Sequence, residues 1–129
     1  MKILVIDDDP AMTEMIKILL EPVNLHVITS NKSPEGVQIA KSEMPDLIIL
    51  DLMMPRMDGW EICKAIRAFA STPILILSAL DDPGLVARSL NSGADDFLVK
   101  PVQANILLSR INMLLRRNSM NPRLSSVPV

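Results

Sequence analysis

The sequence has no tyrosine, one tryptophan, two phenylalanines, one cysteine, one histidine and four glycines among 129 residues. Each scarcity removes a class of function. A single cysteine, Cys63, excludes an internal disulfide framework and any multi-cysteine metal site. Aromatics at 2%, confined to Trp60, Phe69 and Phe97, leave no stacking platform for single strands or sugars. The few glycines form neither a Gly-x-Gly-x-x-Gly fingerprint nor a P-loop, which argues against a nucleotide enzyme. Basic residues are outnumbered, 13 to 15, and a net charge of -2 is not that of a nucleic-acid surface. Apolar runs reach only about four residues, far short of a membrane span. Met1-Lys2, four apolar residues and then three aspartates are too short for a secretory signal. A cytoplasmic protein is expected.

What is present is enough for a core. Apolar residues make up 49% and charged residues 22%, so the chain is not of the disordered class. At this length one domain buries roughly two thirds of its unfolded surface without staples. Methionines together with Ile, Leu and Val must fill the interior.

Five short apolar runs recur: Ile3-Leu4-Val5-Ile6, His26-Val27-Ile28-Thr29, Leu47-Ile48-Ile49-Leu50, Ile74-Leu75-Ile76-Leu77 and Phe97-Leu98-Val99. The first, third and fourth are continuous rather than alternating, as in a parallel sheet buried on both faces. Between and after them lie five apolar stripes at helical spacing. Met12, Met15, Ile16, Leu19 and Leu20 form the first, with Asp9 as N-cap and Pro10 at the first helical position. Ser33-Pro34 repeats that signal before Val37, Ile39 and Ala40. Ile62, Ala65, Ile66 and Phe69 form the third stripe. Leu85, Val86 and Leu90 form the fourth, closed by Gly93. Ile106, Leu107, Ile111, Leu114 and Leu115 form the fifth. Five alternations of strand and helix imply an α/β domain with helices on both faces of a parallel sheet. The pattern ends at Arg117, and residues 118–129 read as a flexible tail or the start of a linker.

In such a sheet, ligands sit beyond the carboxyl ends of the strands. The first run ends in Asp7-Asp8-Asp9, the third in Asp51, the fourth in Ser78 and the fifth in Lys100-Pro101. Asp9 is read as a helix cap. Asp7, Asp8 and Asp51 gather carboxylates that would raise one another's pKa unless a cation intervened. A hard divalent ion suits them, Mg²⁺ above all. Lys100 adds a fixed positive charge and Ser78 a hydroxyl. Together these parts suit a phosphoryl group, with a carboxylate as its acceptor. His26 has no second ligand for a metal, Cys63 reads as inert core, and Met53, Met54 and Met57 read as loop packing.

The stretches KILVIDDDP, PDLIILDLMMPRMDGWEICKAIR, TPILILSA and GADDFLVKP closely resemble the receiver domain of two-component response regulators. The resemblance covers residues 2–117. It implies a doubly wound, flavodoxin-like sheet of five parallel strands in the order 2-1-3-4-5, with five helices. It implies Asp51 as phospho-acceptor, Asp8, Asp51 and the Met53 carbonyl as Mg²⁺ ligands, and Asp7 acting through a metal-bound water. Ser78 matches the switch hydroxyl, Phe97 the switch aromatic and Lys100 the phosphoryl-pairing lysine, with a cis Lys100-Pro101 bond. A sensor histidine kinase is the implied partner.

The later stretch is most similar to the winged-helix DNA-binding subfamily, whose active receivers dimerise through the fourth helix, fifth strand and fifth helix. Asp96 and Arg110 match one cross-subunit ion pair. Arg88 matches half of another, whose acidic partner position holds Ile106 here. DNA would be met only through a further domain, so the chain is read as part of a longer protein or as a stand-alone receiver. Two rival readings remain. An aspartyl-phosphate hydrolase would need a second acid two residues after Asp51, where Met53 stands. A receiver-like module that is never phosphorylated would lack one of the site positions, and none is missing.

Overall fold

The computed structural model describes residues 1–119, with side chains described to Arg117. The elements are β1 (Lys2–Ile6), α1 (Pro10–Leu20), a 3-10 turn (Glu21–Val23), β2 (His26–Ser30), α2 (Ser33–Glu43) and β3 (Leu47–Asp51). They continue with α3 (Gly59–Arg67), β4 (Ile74–Ser78), α4 (Pro83–Asn91), β5 (Asp96–Val99) and α5 (Ala104–Ser119). All strand pairs are parallel and the order is β2-β1-β3-β4-β5. This is the doubly wound, flavodoxin-like order that the resemblance implied.

The continuous runs occupy the sheet centre because both of its faces are covered. Successive strand side chains point to opposite faces. Ile3, Val5, Leu47, Ile49, Leu75 and Leu77 meet Ile16 and Leu20 of α1 and Leu107, Ile111 and Leu114 of α5. Leu4, Ile6, Ile48, Leu50, Ile74 and Ile76 meet Ala40 of α2 and Ile62, Cys63 and Ile66 of α3. The helix signals act as expected at two places. Asp9 accepts the Ala11 N–H at 3.0 Å ahead of Pro10. Gly93 carries φ 111° just beyond α4, a conformation that side chains disfavour.

Several readings need correction. α2 starts one residue earlier than the Ser33-Pro34 signal indicates: Lys32 is the N-cap, and Ser33 instead donates its hydroxyl to the Pro55 carbonyl at 3.1 Å. Met15 lies outside the buried stripe of α1, 52% exposed, and Thr13 is buried in its place. Phe69 falls beyond the end of α3 and is exposed. In α4 the buried residue is Ser89, while Leu90 faces solvent. Spacing alone could not show this, because the α3–α4 contact is made by Trp60, whose indole N–H donates to the Ser89 hydroxyl at 3.0 Å. α5 continues two residues past Arg117, because backbone bonding carries a helix beyond its last apolar side chain. The rest of the expected tail, 120–129, lies outside the described residues. Among the described residues no helix is long and apolar enough to cross a membrane.

Candidate functional site

Three of the strands deliver acids or a base to one edge of the sheet. Asp7 directly follows β1, its N–H donating to the Ser30 carbonyl at 3.0 Å. Asp51 is the last residue of β3 and Lys100 follows β5. Asp7 and Asp51 are buried while Asp8 is exposed. One carboxylate oxygen from each of the three lies within 4.8 Å of the others. Lys100 Nζ donates to Asp7 Oδ2 at 3.0 Å and stands 3.5 Å from Asp51 Oδ1. Its backbone N–H donates to the Ser78 carbonyl at 2.7 Å, and the Lys100-Pro101 bond is cis.

One ammonium among three carboxylates leaves the cluster negative, and Asp51 carries the strain. Burial, reinforced by the Asp7 charge, pushes its carboxyl up to about 6. Lys100 and a hydrogen bond from the Met53 N–H act the other way, and Asp8 adds to the rise. Burial works to lower the Lys100 ammonium, but its hydrogen bond to Asp7 and the Asp51 charge outweigh it, so its pKa ends above the ordinary value. Hard oxygen donors that converge with unbalanced negative charge fit a divalent cation such as Mg²⁺.

Ser78 is fully buried at the end of β4, and its hydroxyl accepts the Leu80 N–H at 3.1 Å. Phe97 is half-buried on β5 against the layer of α2 and α3. The side chains of Met53 and Leu80 are 55% and 43% exposed. Met54 and Met57 pack against the core as read, but Met53 does not. Cys63 is buried with its thiol pushed up to about 12 by burial, in keeping with an inert role. His26 is exposed at the start of β2.

The residues assigned to a dimer face are engaged within the chain. Arg110 Nη1 donates to Asp96 Oδ2 at 2.8 Å. The Arg88 guanidinium stacks on Trp60, 3.7 Å from the ring centroid. Nothing in the sequence pattern marks Trp60 for this contact. Asn31 also escaped the sequence reading: its Nδ2 donates to the Asp7 carbonyl at 2.7 Å and to Thr13 Oγ1 at 3.2 Å. The sequence does carry a signal for it, because Asn31 directly follows the second strand on the edge that gathers the other strand ends.

Residues 3–112 match the family described as the response regulator receiver domain. The chain is 40% identical over 115 residues to the transcriptional regulatory protein AfsQ1 of Streptomyces coelicolor, covering 89% of this chain and 51% of that protein. It is 37% identical over 121 residues to the DNA-binding response regulator MtrA of Mycolicibacterium smegmatis, covering 94% and 53%. The chain thus spans about half the length of these relatives. A crystal structure of a two-component response regulator from Clostridium difficile matches with a TM-score of 0.87 at 33% identity, over 90% of this chain and 96% of that one. Profile, relatives and fold agree with the acidic edge built above, and the chain belongs to the receiver domains of two-component response regulators.

Proposed function

We propose that this receiver is a phosphorylation switch in which Asp51 accepts a phosphoryl group from the phosphohistidine of a sensor kinase. The observation that carries the reading is the meeting of Asp7, Asp8, Asp51 and Lys100 at one half-buried edge. A carboxylate oxygen of Asp51 attacks phosphorus in line. The P–N bond breaks and its electron pair stays on the histidine nitrogen. Lys100 is placed to pair with the phosphoryl oxygens as charge builds on them. Asp8, Asp51 and the Met53 carbonyl would hold Mg²⁺, which offsets negative charge between acceptor and phosphoryl group when bound. Both Asp7 oxygens already accept hydrogen bonds, from Asp9 N–H and Lys100, which supports its acting through a water.

The acyl phosphate adds roughly two negative charges and new acceptor oxygens. Ser78 then turns to meet it and Phe97 moves into the space released. The face of α4, β5 and α5 changes its contacts, favouring a two-fold dimer and, where the receiver is joined to a DNA-binding domain, transcriptional output. A cytoplasmic setting follows from a kinase partner of this kind. Incubation with acetyl phosphate and Mg²⁺ should give a lasting mass gain of about 80 Da, that of HPO₃. Steady turnover without the adduct would favour a hydrolase, and no reaction would favour a binding module.

The Arg110–Asp96 pair provides a sharper dimer test than simple reversal, because the two already meet inside one chain. Phosphorylated Arg110→Glu and Asp96→Arg should each dimerise weakly by sedimentation. An equimolar mixture should recover, because the heterodimer restores both cross-axis pairs while each chain's internal pair stays broken. Exposed pairs contribute about 1 kcal/mol or less, so the shift should be modest. No recovery in the mixture would refute cross-subunit pairing.

The adduct should also decay slowly. Met53 and Leu80 offer no group to orient an attacking water, and orientation contributes several kcal/mol in favourable cases. Their exposure places them at the surface rather than in the core, so missing orientation outweighs shielding. Met53→Asn/Leu80→Glu should speed phosphate loss about tenfold; equal decay in the two proteins would refute the argument.

A further inference from the structure

We infer that Asn31 is a positioning residue for the acidic site, setting the direction in which Asp8 presents its carboxylate to a divalent cation. The inference rests on the metal reading above. Both amide hydrogens of Asn31 are used, one on the Asp7 carbonyl at 2.7 Å and one on Thr13 Oγ1 at 3.2 Å. Thr13 is buried in α1 and its hydroxyl donates in turn to the Pro10 carbonyl at 3.0 Å. Asn31 therefore braces the loop after β1 from the loop after β2.

The Asp7 carbonyl belongs to the planar peptide unit that leads into Asp8. A turn of that plane swings the Asp8 side chain. The other polar groups of Asp7 are held by neighbours: its N–H by Ser30, Oδ1 by Asp9 and Oδ2 by Lys100. Asp8, by contrast, is exposed, so its aim depends on the backbone that carries it. With Asn31 removed, the peptide between the two acids loses its only side-chain brace among the described residues. Asp8 then samples directions that no longer converge with Asp51, and the cation must order the loop as it binds.

The test compares wild type with Asn31→Leu, which keeps the size and loses the donors, and Thr13→Val, which loses the anchor. Calorimetric Mg²⁺ titration should show about tenfold weaker binding in Asn31→Leu, and a smaller loss of the same sign in Thr13→Val. With acetyl phosphate, the Mg²⁺ half-saturation point should rise by the same factor. The rate at saturating Mg²⁺ should stay within about twofold of wild type. In metal-free protein, amide exchange at Asp8 and Asp9 should quicken. Where Asn31→Leu folds poorly, Thr13→Val and Asn31→Ser carry the comparison. Unchanged Mg²⁺ affinity in folded variants, or a rate loss that saturating Mg²⁺ does not recover, would overturn the positioning role. A wild type that binds no Mg²⁺ would overturn the metal reading itself.

Discussion

Asp51→Asn is expected to abolish phosphorylation and at the same time to make the metal-free protein more stable at neutral pH. The amide has nearly the carboxylate's shape but is no nucleophile. Its stability effect follows from the site's electrostatics. Burial and the Asp7 charge raise the Asp51 carboxyl from 3.8 to about 6 in the folded state. A raised acid favours the fold fully below its unfolded pKa, and that contribution is lost as pH climbs through the folded value. The window is therefore pH 3.8 to about 6. Above it the wild type holds an ionised, buried Asp51 at a cost of roughly 1–3 kcal/mol, which asparagine avoids. Thermal melts in EDTA should show the variant close to wild type near pH 4 and roughly 4–10 °C higher at pH 7. Saturating Mg²⁺ should narrow the gap by stabilising the wild type. Phosphate uptake by Asp51→Asn at the wild-type rate and stoichiometry would remove Asp51 as acceptor. A melting difference independent of pH would remove the electrostatic cause.

Lys100→Met should act in the opposite direction on stability. Lys100 is bonded to Asp7, whose side chain is 4% exposed, and lies beside Asp51 at 10%. Without the ammonium, two buried carboxylates remain close together, with Asp8 beside them and no cation. Breaking a fully buried pair costs roughly 3–5 kcal/mol; the partial exposure of this lysine and proton uptake by Asp51 bring the expectation to about 2–3 kcal/mol at pH 8. The lysine's own pKa is raised, so its contribution is complete below 10.5 and fades only as pH rises through the higher folded value. Its titration therefore plays no part near neutrality. The loss in Lys100→Met should shrink towards pH 5, where Asp51 takes up a proton. Asp51→Asn should stabilise Lys100→Met by about 1 kcal/mol more than it stabilises the wild type, because the two residues share one cluster. Denaturant titrations of the four proteins at both pH values decide it. Additive effects that ignore pH would show that Lys100 acts by packing rather than by charge. Phosphorylation should also slow, and wild-type rates in Lys100→Met would exclude its pairing with the phosphoryl group.

The sequence by itself determined the sheet and the polar groups gathered at its edge. Continuous runs at Ile3–Ile6, Leu47–Leu50 and Ile74–Leu77 can be satisfied only by cover on both faces. Parallel strands then carry Asp7, Asp8, Asp51, Ser78 and Lys100 to one side, because whatever follows each strand shares that edge. Strand order came from the family motifs, since periodicity does not order strands. Tertiary structure decided what depends on contacts between elements distant in the chain. Asn31 meets the Asp7 carbonyl across 24 residues and Trp60 meets Ser89 across 29. Helical spacing cannot reveal that α4 leans on a polar contact, so it placed Leu90 inside when Ser89 was. Asp96 and Arg110 pair within one chain because folding brings the start of β5 within ion-pair reach of α5, a proximity set by packing rather than by sequence spacing. Local pattern decides which face of an element is apolar, whereas partners follow only once the layers have closed.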